Sequence, residues 1–183
     1  MTVQLEAGVA YISADRLYRY ALSRIWDNTR PRMLFVGLNP STADEARLDP
    51  TLRRVVRFAM REGCGGLWVG NLCAFRATKP ATMREAVEAG VDPVGPENDR
   101  WLADMARWCA PNILVGWGAN GIFLDRDAAV KRLLRNYDLK CLGRTKNGQP
   151  RHPLYIAAKT ELESYTDDEI SAESGMKSAG VSA

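Results

Sequence analysis

The sequence has little of what metal sites, disulfide frameworks and membrane spans require. Its 183 residues include a single histidine, His152, so no histidine cluster can bind zinc. No apolar run approaches the ~18 residues of a transmembrane helix, and no signal peptide is visible at the N-terminus. The cysteines are far apart and form no CxxC pair: Cys64, Cys73, Cys109 and Cys141. We therefore expect reduced thiols in a cytoplasmic protein, with no metal and no other cofactor.

The charged residues are unevenly distributed along the chain. Residues 161–183 hold six acids and one base, a net charge of −5, whereas residues 1–160 hold 24 bases and 16 acids, a net charge of +8. A length of 183 residues with 46% hydrophobic and 26% charged residues is typical of one globular domain. We expect a monomer with a single domain over 1–160 and an acidic, disordered tail over 161–183. The basic body is compatible with a polyanionic partner such as nucleic acid.

Apolar runs without polar alternation predict buried strands, and helical patterns separate them. The helix predicted after Asp49 has this residue as N-cap and Pro50 at its first position. Residues 9–27 alternate as an antiparallel hairpin does. The pattern predicts an α/β fold, a three-layer α/β/α sandwich with a central, mostly parallel four-stranded sheet plus an N-terminal hairpin. The predicted strands are 33–38, 66–72, 112–117 and 138–143, and the further helices are 80–89, 96–109 and 126–136.

Polar residues follow two of these strands directly. Residues 33–44, "MLFVGLNPSTAD", end their strand in Gly37, Asn39 and Ser41, and "WVGNLCAF" ends the next in Asn71. In open parallel sheets, ligands bind beyond the carboxyl ends of the strands. The alternative is that these residues only form turns, for which Gly, Asn, Pro and Ser are suited.

The order of the motifs resembles that of the uracil-DNA glycosylase superfamily. The motifs are "GLNPS", "GNLCAF", "RATKPATMREA", "APNILVGWGANG" and "RHPLY". More closely, "LNPSTAD", "DPTLRR" and "NLCAFRATKP" resemble an uncharacterised bacterial and phage family that looks like a diverged branch of that fold. The likeness covers roughly residues 10–157. It implies recognition of a nucleobase in nucleic acid, DNA more than RNA, and hydrolysis of the N-glycosidic bond of a uracil-like or modified base.

The resemblance also implies roles for individual residues. Asn39 would hold the attacking water, Asp44 would be an alternative base, and His152 would donate a hydrogen bond to the leaving base. The implied base-binding residues are Asn71, which reads the pyrimidine edge, with Phe75, Gly37 and Ser41. The implied DNA-binding residues are Leu154, as the wedge that fills the gap left by the extruded nucleotide, and Arg53, Arg57 and Arg151.

Two departures from the resemblance leave other functions open. The last motif, "RHPLY", which we call the late motif, is shortened to "HPLY" and lacks the serine that usually binds phosphate in the glycosylases. In addition, Asn39 occupies the position at which the best-known branch has aspartate. A reader of modified bases that does not excise them is therefore one alternative, and an enzyme acting on free nucleotides is another. The residues "GWGANG" spell GxGxxG, the pattern of a dinucleotide-binding turn, although too little chain follows for a complete dinucleotide fold.

Overall fold

The protein is described by a computed structural model covering residues 8–41 and 49–165. Asp44 and residues 166–183 of the predicted tail lie outside the described residues. The strands are β1 (Ala10–Ile12), β2 (Arg19–Ile25), β3 (Arg32–Gly37), β4 (Gly66–Asn71), β5 (Ile113–Val115), β6 (Leu139–Cys141) and β7 (Glu163–Ser164). The α-helices are α1 (Pro50–Arg61), α2 (Pro80–Glu88), α3 (Asn98–Cys109) and α4 (Arg126–Leu133), with 3₁₀ segments at Ala119–Asp125 and Pro153–Tyr155.

The strands form one mixed sheet in the order β1-β2-β4-β3-β5-β6-β7. The four adjacent strands β4, β3, β5 and β6 are parallel, while β2 and β7 pair antiparallel at either side. The prediction of a four-stranded sheet with a separate hairpin is therefore wrong. The predicted antiparallel pairing of β1 with β2 is present, but β2 also hydrogen-bonds along the edge of β4. An uncovered edge of β4 would leave a row of backbone groups without partners.

Helices cover both faces of this sheet because successive side chains of a strand point to opposite faces. Leu34 and Val36 of β3 pack in one apolar cluster with residues of α3 and α4. Met33 and Phe35, which alternate with them, pack in a second cluster with residues of α1. The α/β class with helices on both faces is thus as the apolar pattern predicted.

Helix α1 begins where its capping residues predict. The Asp49 carboxylate accepts a hydrogen bond from the backbone N–H of Leu52 at 2.8 Å, and Pro50 occupies the first helical position. This helix also holds the chain that follows His152. Arg54 donates to the carbonyl oxygen of Pro153 at 3.1 Å and to that of Ile156. The position of the late motif therefore depends on α1.

The described fold continues past residue 160, where the sequence placed the domain boundary. Strand β7 pairs with β6, and Tyr165 is buried against Trp117, with the two rings 5.8 Å apart in an edge-on arrangement. All four cysteines are buried and unpaired. Among the described residues, no helix is long and apolar enough to cross a membrane.

Candidate functional site

A cavity of about 660 Å³ lies at the edge of the sheet where β3, β4 and β5 end. This is the edge that the sequence predicted, because the carboxyl ends of parallel strands meet there. The volume is within the range of small-molecule sites. Six of the predicted site residues line it: Gly37, Asn39, Ser41, Asn71, Arg151 and His152.

Asn71 is the most deeply buried polar group that faces this cavity from a parallel strand. The residue is only 6% exposed, and within the described part of the chain its carboxamide has no hydrogen-bond partner. Gly37 lies directly opposite on β3, and a Cβ atom added there would be 2.9 Å from Asn71 Oδ1. Glycine at position 37 thus leaves the space that the carboxamide occupies. The carboxamide therefore faces the cavity with both its donor and its acceptor available to a ligand with complementary groups.

The backbone that carries Asn71 is fixed from behind by two buried side chains. Asn98 Nδ2 donates to the carbonyl oxygens of Asn71 at 3.0 Å and of Leu72 at 3.1 Å. Arg126 donates from Nε to the same Leu72 oxygen at 3.0 Å, and its Nη2 lies 2.6 Å from Asp99 Oδ1. These contacts satisfy the carbonyl groups at the end of β4, where the sheet no longer does so. Asn98 and Arg126 therefore position Asn71.

Asn39 is held with its amide nitrogen turned toward the protein. Its Nδ2 donates to the carbonyl oxygen of Ala77 at 2.7 Å and, less closely, to that of Pro40 at 3.3 Å. A carbonyl oxygen only accepts hydrogen bonds, so this contact assigns the orientation of the amide. The Asn39 Oδ1 atom is left as an acceptor, and the residue lines the cavity. It is therefore able to orient a water molecule.

His152 presents a neutral imidazole. Its Nδ1 accepts the backbone N–H of Leu154 at 3.4 Å, which places the ring proton on Nε2. Burial lowers the pKa of His152, and the nearby Asp49 carboxylate opposes that shift only partly. A neutral imidazole with Nε2–H donates one hydrogen bond without carrying a charge into the cavity.

Asp49 brings a carboxylate to the same cavity. One of its oxygens caps α1, and a carboxylate has further acceptor positions on both oxygens. Among the described residues that line the cavity, it is the only acid. Asp49 is therefore the described candidate for accepting a proton from water, while Asp44 lies outside the described residues.

With this geometry established, comparison with known proteins places the chain. The family described as "Protein of unknown function (DUF1643)" matches residues 19–154, about three quarters of the sequence. The chain belongs to the DUF1643 family. Neither the curated proteins nor the solved structures give a match. The DUF1643 match confirms the expectation of an uncharacterised family and includes Asn39, Asn71 and His152, but it shows no link to the glycosylases.

Other predicted site residues of this DUF1643 chain lie away from the cavity lining. Phe75, predicted to bind the base, is half-buried, packs edge-on against Tyr18 with the ring centroids 6.4 Å apart, and does not line the cavity. Leu154 is half-buried and does not line the cavity either. Arg53 and Arg57 are exposed on α1 outside the lining. The aromatic side chain at the cavity rim is instead Tyr155, which is 78% exposed.

Sequence reasoning missed a set of buried polar residues around the cavity. Trp117 lines it, and its indole Nε1 donates to Gln149 Oε1 at 2.6 Å. Gln149 Nε2 in turn donates to Asp127 Oδ2 at 2.7 Å. Arg19, at the start of β2, also lines the cavity and is only 6% exposed. The sequence signal for Arg19 was weak, because β2 also contains Ser23 and Arg24. The Gln149 contacts join distant segments and had no signal.

The "GWGANG" motif does not form a dinucleotide-binding turn. Such a turn leads directly into an α-helix, whereas β5 is followed by the 3₁₀ segment Ala119–Asp125. A Cβ at Gly121 would lie 2.0 Å from Trp117 Cδ1, and one at Gly116 would lie 2.9 Å from Phe35 Cε2. The glycines therefore allow close packing of the chain.

Proposed function

We propose that the cavity binds a nucleobase in DNA and that the protein hydrolyses the N-glycosidic bond of a uracil-like or modified base. The observation that carries this proposal is the buried, unpartnered Asn71 carboxamide in one cavity with Asn39, His152 and Asp49. A pyrimidine edge with a carbonyl beside a ring N–H needs one donor and one acceptor side by side. A carboxamide supplies that pair, and a ligand that fills the cavity would shield it from water.

The leaving group would be stabilised by His152. When the bond between the sugar C1′ and the base nitrogen breaks, its electron pair goes to the base, and negative charge spreads to the base oxygens. A preformed Nε2–H donor directed at one of these oxygens stabilises that charge most in the transition state. Because Nδ1 already accepts a backbone N–H, the donor needs no reorientation.

The attacking water would be held between Asn39 Oδ1 and the Asp49 carboxylate. Its oxygen forms the new bond to C1′ and one proton passes to Asp49. The departing base takes a proton from solvent, and Asp49 then returns its proton to solvent. The products are the free base and an abasic sugar, so the atoms of one water molecule are consumed. Only one Asp49 oxygen is used to cap α1, so the carboxylate has further acceptor positions for the proton.

Contacts to DNA would come from the basic surface beside the cavity. Arg151 is an exposed cavity-lining residue, and Arg53 and Arg57 are exposed on α1, whose first turn also lines the cavity. Arginines on one side of a binding site support phosphate contacts, which contribute affinity but no sequence specificity.

A screen of oligonucleotides that contain uracil, hydroxymethyluracil or mismatches, scored for abasic sites, tests the proposal. We expect Asn39→Ala to reduce turnover far more than affinity, since it would hold the water. Asn71→Ala should weaken discrimination between bases by about 1–3 kcal/mol, the value of a lost bidentate contact. Asn28→Ala is the matched control, because Asn28 is exposed and precedes β3 at the opposite edge of the sheet.

Two results would contradict the proposal in different ways. Specific binding without abasic product from any substrate rejects hydrolysis and supports a reader of modified bases. If Asn71→Ala discriminates between bases as well as the Asn28 control does, the assignment of Asn71 to base recognition is wrong.

A further inference from the structure

Arg19 places a buried positive charge in the cavity. The residue is at the start of β2, is 6% exposed, and lines the cavity together with Asn71. It interacts within the protein, and a guanidinium has five N–H donors, so further acceptors can bind it. A guanidinium binds carboxylate and phosphate groups with two parallel hydrogen bonds. An arginine at the wall of a ligand cavity can therefore bind acceptors of a ligand in addition to its partners within the protein.

The strand order fixes where Arg19 lies relative to the other groups. β2, β4, β3 and β5 are adjacent in that order, and they present Arg19, Asn71, Asn39 and Trp117 respectively. His152 is on the β5 side, since a Cβ added to Gly118 would lie 3.6 Å from His152 Cβ. Arg19 is thus on the side of Asn71 that faces away from His152.

The charged residues Asp49 and Arg19 also lie on different sides of Asn71. Asp49 is close enough to His152 to affect its pKa, so the described carboxylate is on the His152 side. Arg19 on the other side and Arg151 at the exposed rim are the arginines among the described lining residues. The part of the cavity beyond Asn71 is accordingly the part suited to an anion.

We propose that Arg19 binds an anionic group of the ligand, on the side of Asn71 away from His152. This inference rests on the proposed function. Consider a uracil-like base that presents one carbonyl and the adjacent ring N–H to Asn71, and its second carbonyl to His152. The ring carbon next to the first carbonyl, C5, is then directed toward Arg19. A carboxylate on that carbon matches the planar fork of a guanidinium with two parallel hydrogen bonds. The phosphate of a nucleotide is the other source of the same chemistry.

The experiment compares ligands that differ only in the anionic group. Calorimetric titrations use oligonucleotides with one uracil, 5-hydroxymethyluracil or 5-carboxyuracil, and separately uridine and uridine monophosphate. The variants are Arg19→Gln and, as a matched control, Arg24→Gln. Arg24 is also a buried arginine of β2, but it donates to the carbonyl oxygen of Ser23 at 2.8 Å and does not line the cavity.

With a carboxylate as the partner, the wild-type protein binds the 5-carboxyuracil oligonucleotide at least about tenfold more tightly than the uracil one, about 1.4 kcal/mol. R19Q loses that preference and R24Q keeps it. With a phosphate as the partner, the preference is for uridine monophosphate over uridine, and R19Q again removes it. Should R19Q not fold, Arg19→Lys keeps the charge without the fork, and most of the preference for the carboxylate should still disappear.

Three outcomes overturn the inference. The first is a wild-type protein that binds uracil ligands with no preference for either anion. The second is an anion preference of the wild type that R19Q, or R19K in its place, leaves unchanged. The third is an anion preference that R24Q reduces as much as R19Q does. Each of these leaves base recognition through Asn71 intact. A wild-type protein that binds none of the ligands contradicts the proposed function and this inference together.

Discussion

Gly37→Ala should damage ligand recognition while leaving the fold almost unchanged. The new Cβ would lie 2.9 Å from Asn71 Oδ1, roughly 0.6 Å inside the ~3.5 Å at which heavy atoms pack well. Its next neighbour, Phe35 Cε1, is at 3.4 Å and needs only a small adjustment. The carboxamide of Asn71 is the mobile end of that contact, so it should rotate out of its position in the cavity.

The magnitude follows from what the displaced carboxamide would have bound. Loss of a bidentate contact to a base is worth about 1–3 kcal/mol, which corresponds to an affinity about 5- to 150-fold weaker. The free energy of unfolding should change by less than about 1 kcal/mol, because no buried group loses a partner. Fluorescence anisotropy with a uracil-containing oligonucleotide measures the first quantity, and urea denaturation measures the second.

A double-mutant cycle decides whether the effect passes through Asn71. In an Asn71→Ala background there is no carboxamide for the new methyl group to displace. Gly37→Ala should then weaken binding by less than about 0.5 kcal/mol, the scatter expected of independent sites. Equal losses in both backgrounds would refute the reasoning, and a large loss of stability would show that the methyl group disturbs the sheet itself.

Two further variants test the other side of the cavity. Arg54→Met removes the donor to the Pro153 and Ile156 oxygens and should lower the free energy of unfolding by about 1–3 kcal/mol in urea denaturation. The control is Arg57→Met on the exposed face of the same helix, which should change the free energy of unfolding by less than about 0.5 kcal/mol. Burial lowers the pKa of His152 below its ordinary 6.5, so the unfolded chain binds more protons between the two values, and stability should fall as pH drops through that window. Urea titrations between about pH 5 and about pH 8 should show this slope in the wild type and a smaller one in His152→Gln; equal slopes would contradict the assignment. The single histidine also allows its pKa to be followed directly by NMR.

Local signals were enough to predict most elements but not how the sheet is completed. Asp49 and Pro50 mark the start of α1 because capping depends on neighbours a few residues away. The pairing of β2 with β4, and of β7 with β6, joins distant segments, and no local pattern specifies such partners. The sheet therefore has seven strands where four were predicted.

The same limit applies to the residues around the cavity. Asn39, Asn71 and His152 could be placed at one edge of the sheet because they follow strands or stand in a recognisable motif. Arg19 was missed because β2 runs antiparallel to β4, so that the amino end of β2 lies at the edge of the sheet that holds the cavity. Phe75 is close to a motif in sequence but does not line the cavity, because closeness in sequence does not determine which way a side chain points.

The attachment of the late motif to α1 has a consequence for local opening. Residues 153–158 receive hydrogen bonds from Arg54 and from Arg61, whose Nη1 donates to the Ala158 oxygen at 3.1 Å. The first turn of α1 carries Asp49. In native-state hydrogen exchange, amides of α1 and of the segment after His152 should therefore open as one cooperative unit. In the proposed reaction, Asp49 and His152 would then lose and regain their positions together, so a partly opened molecule would be inactive.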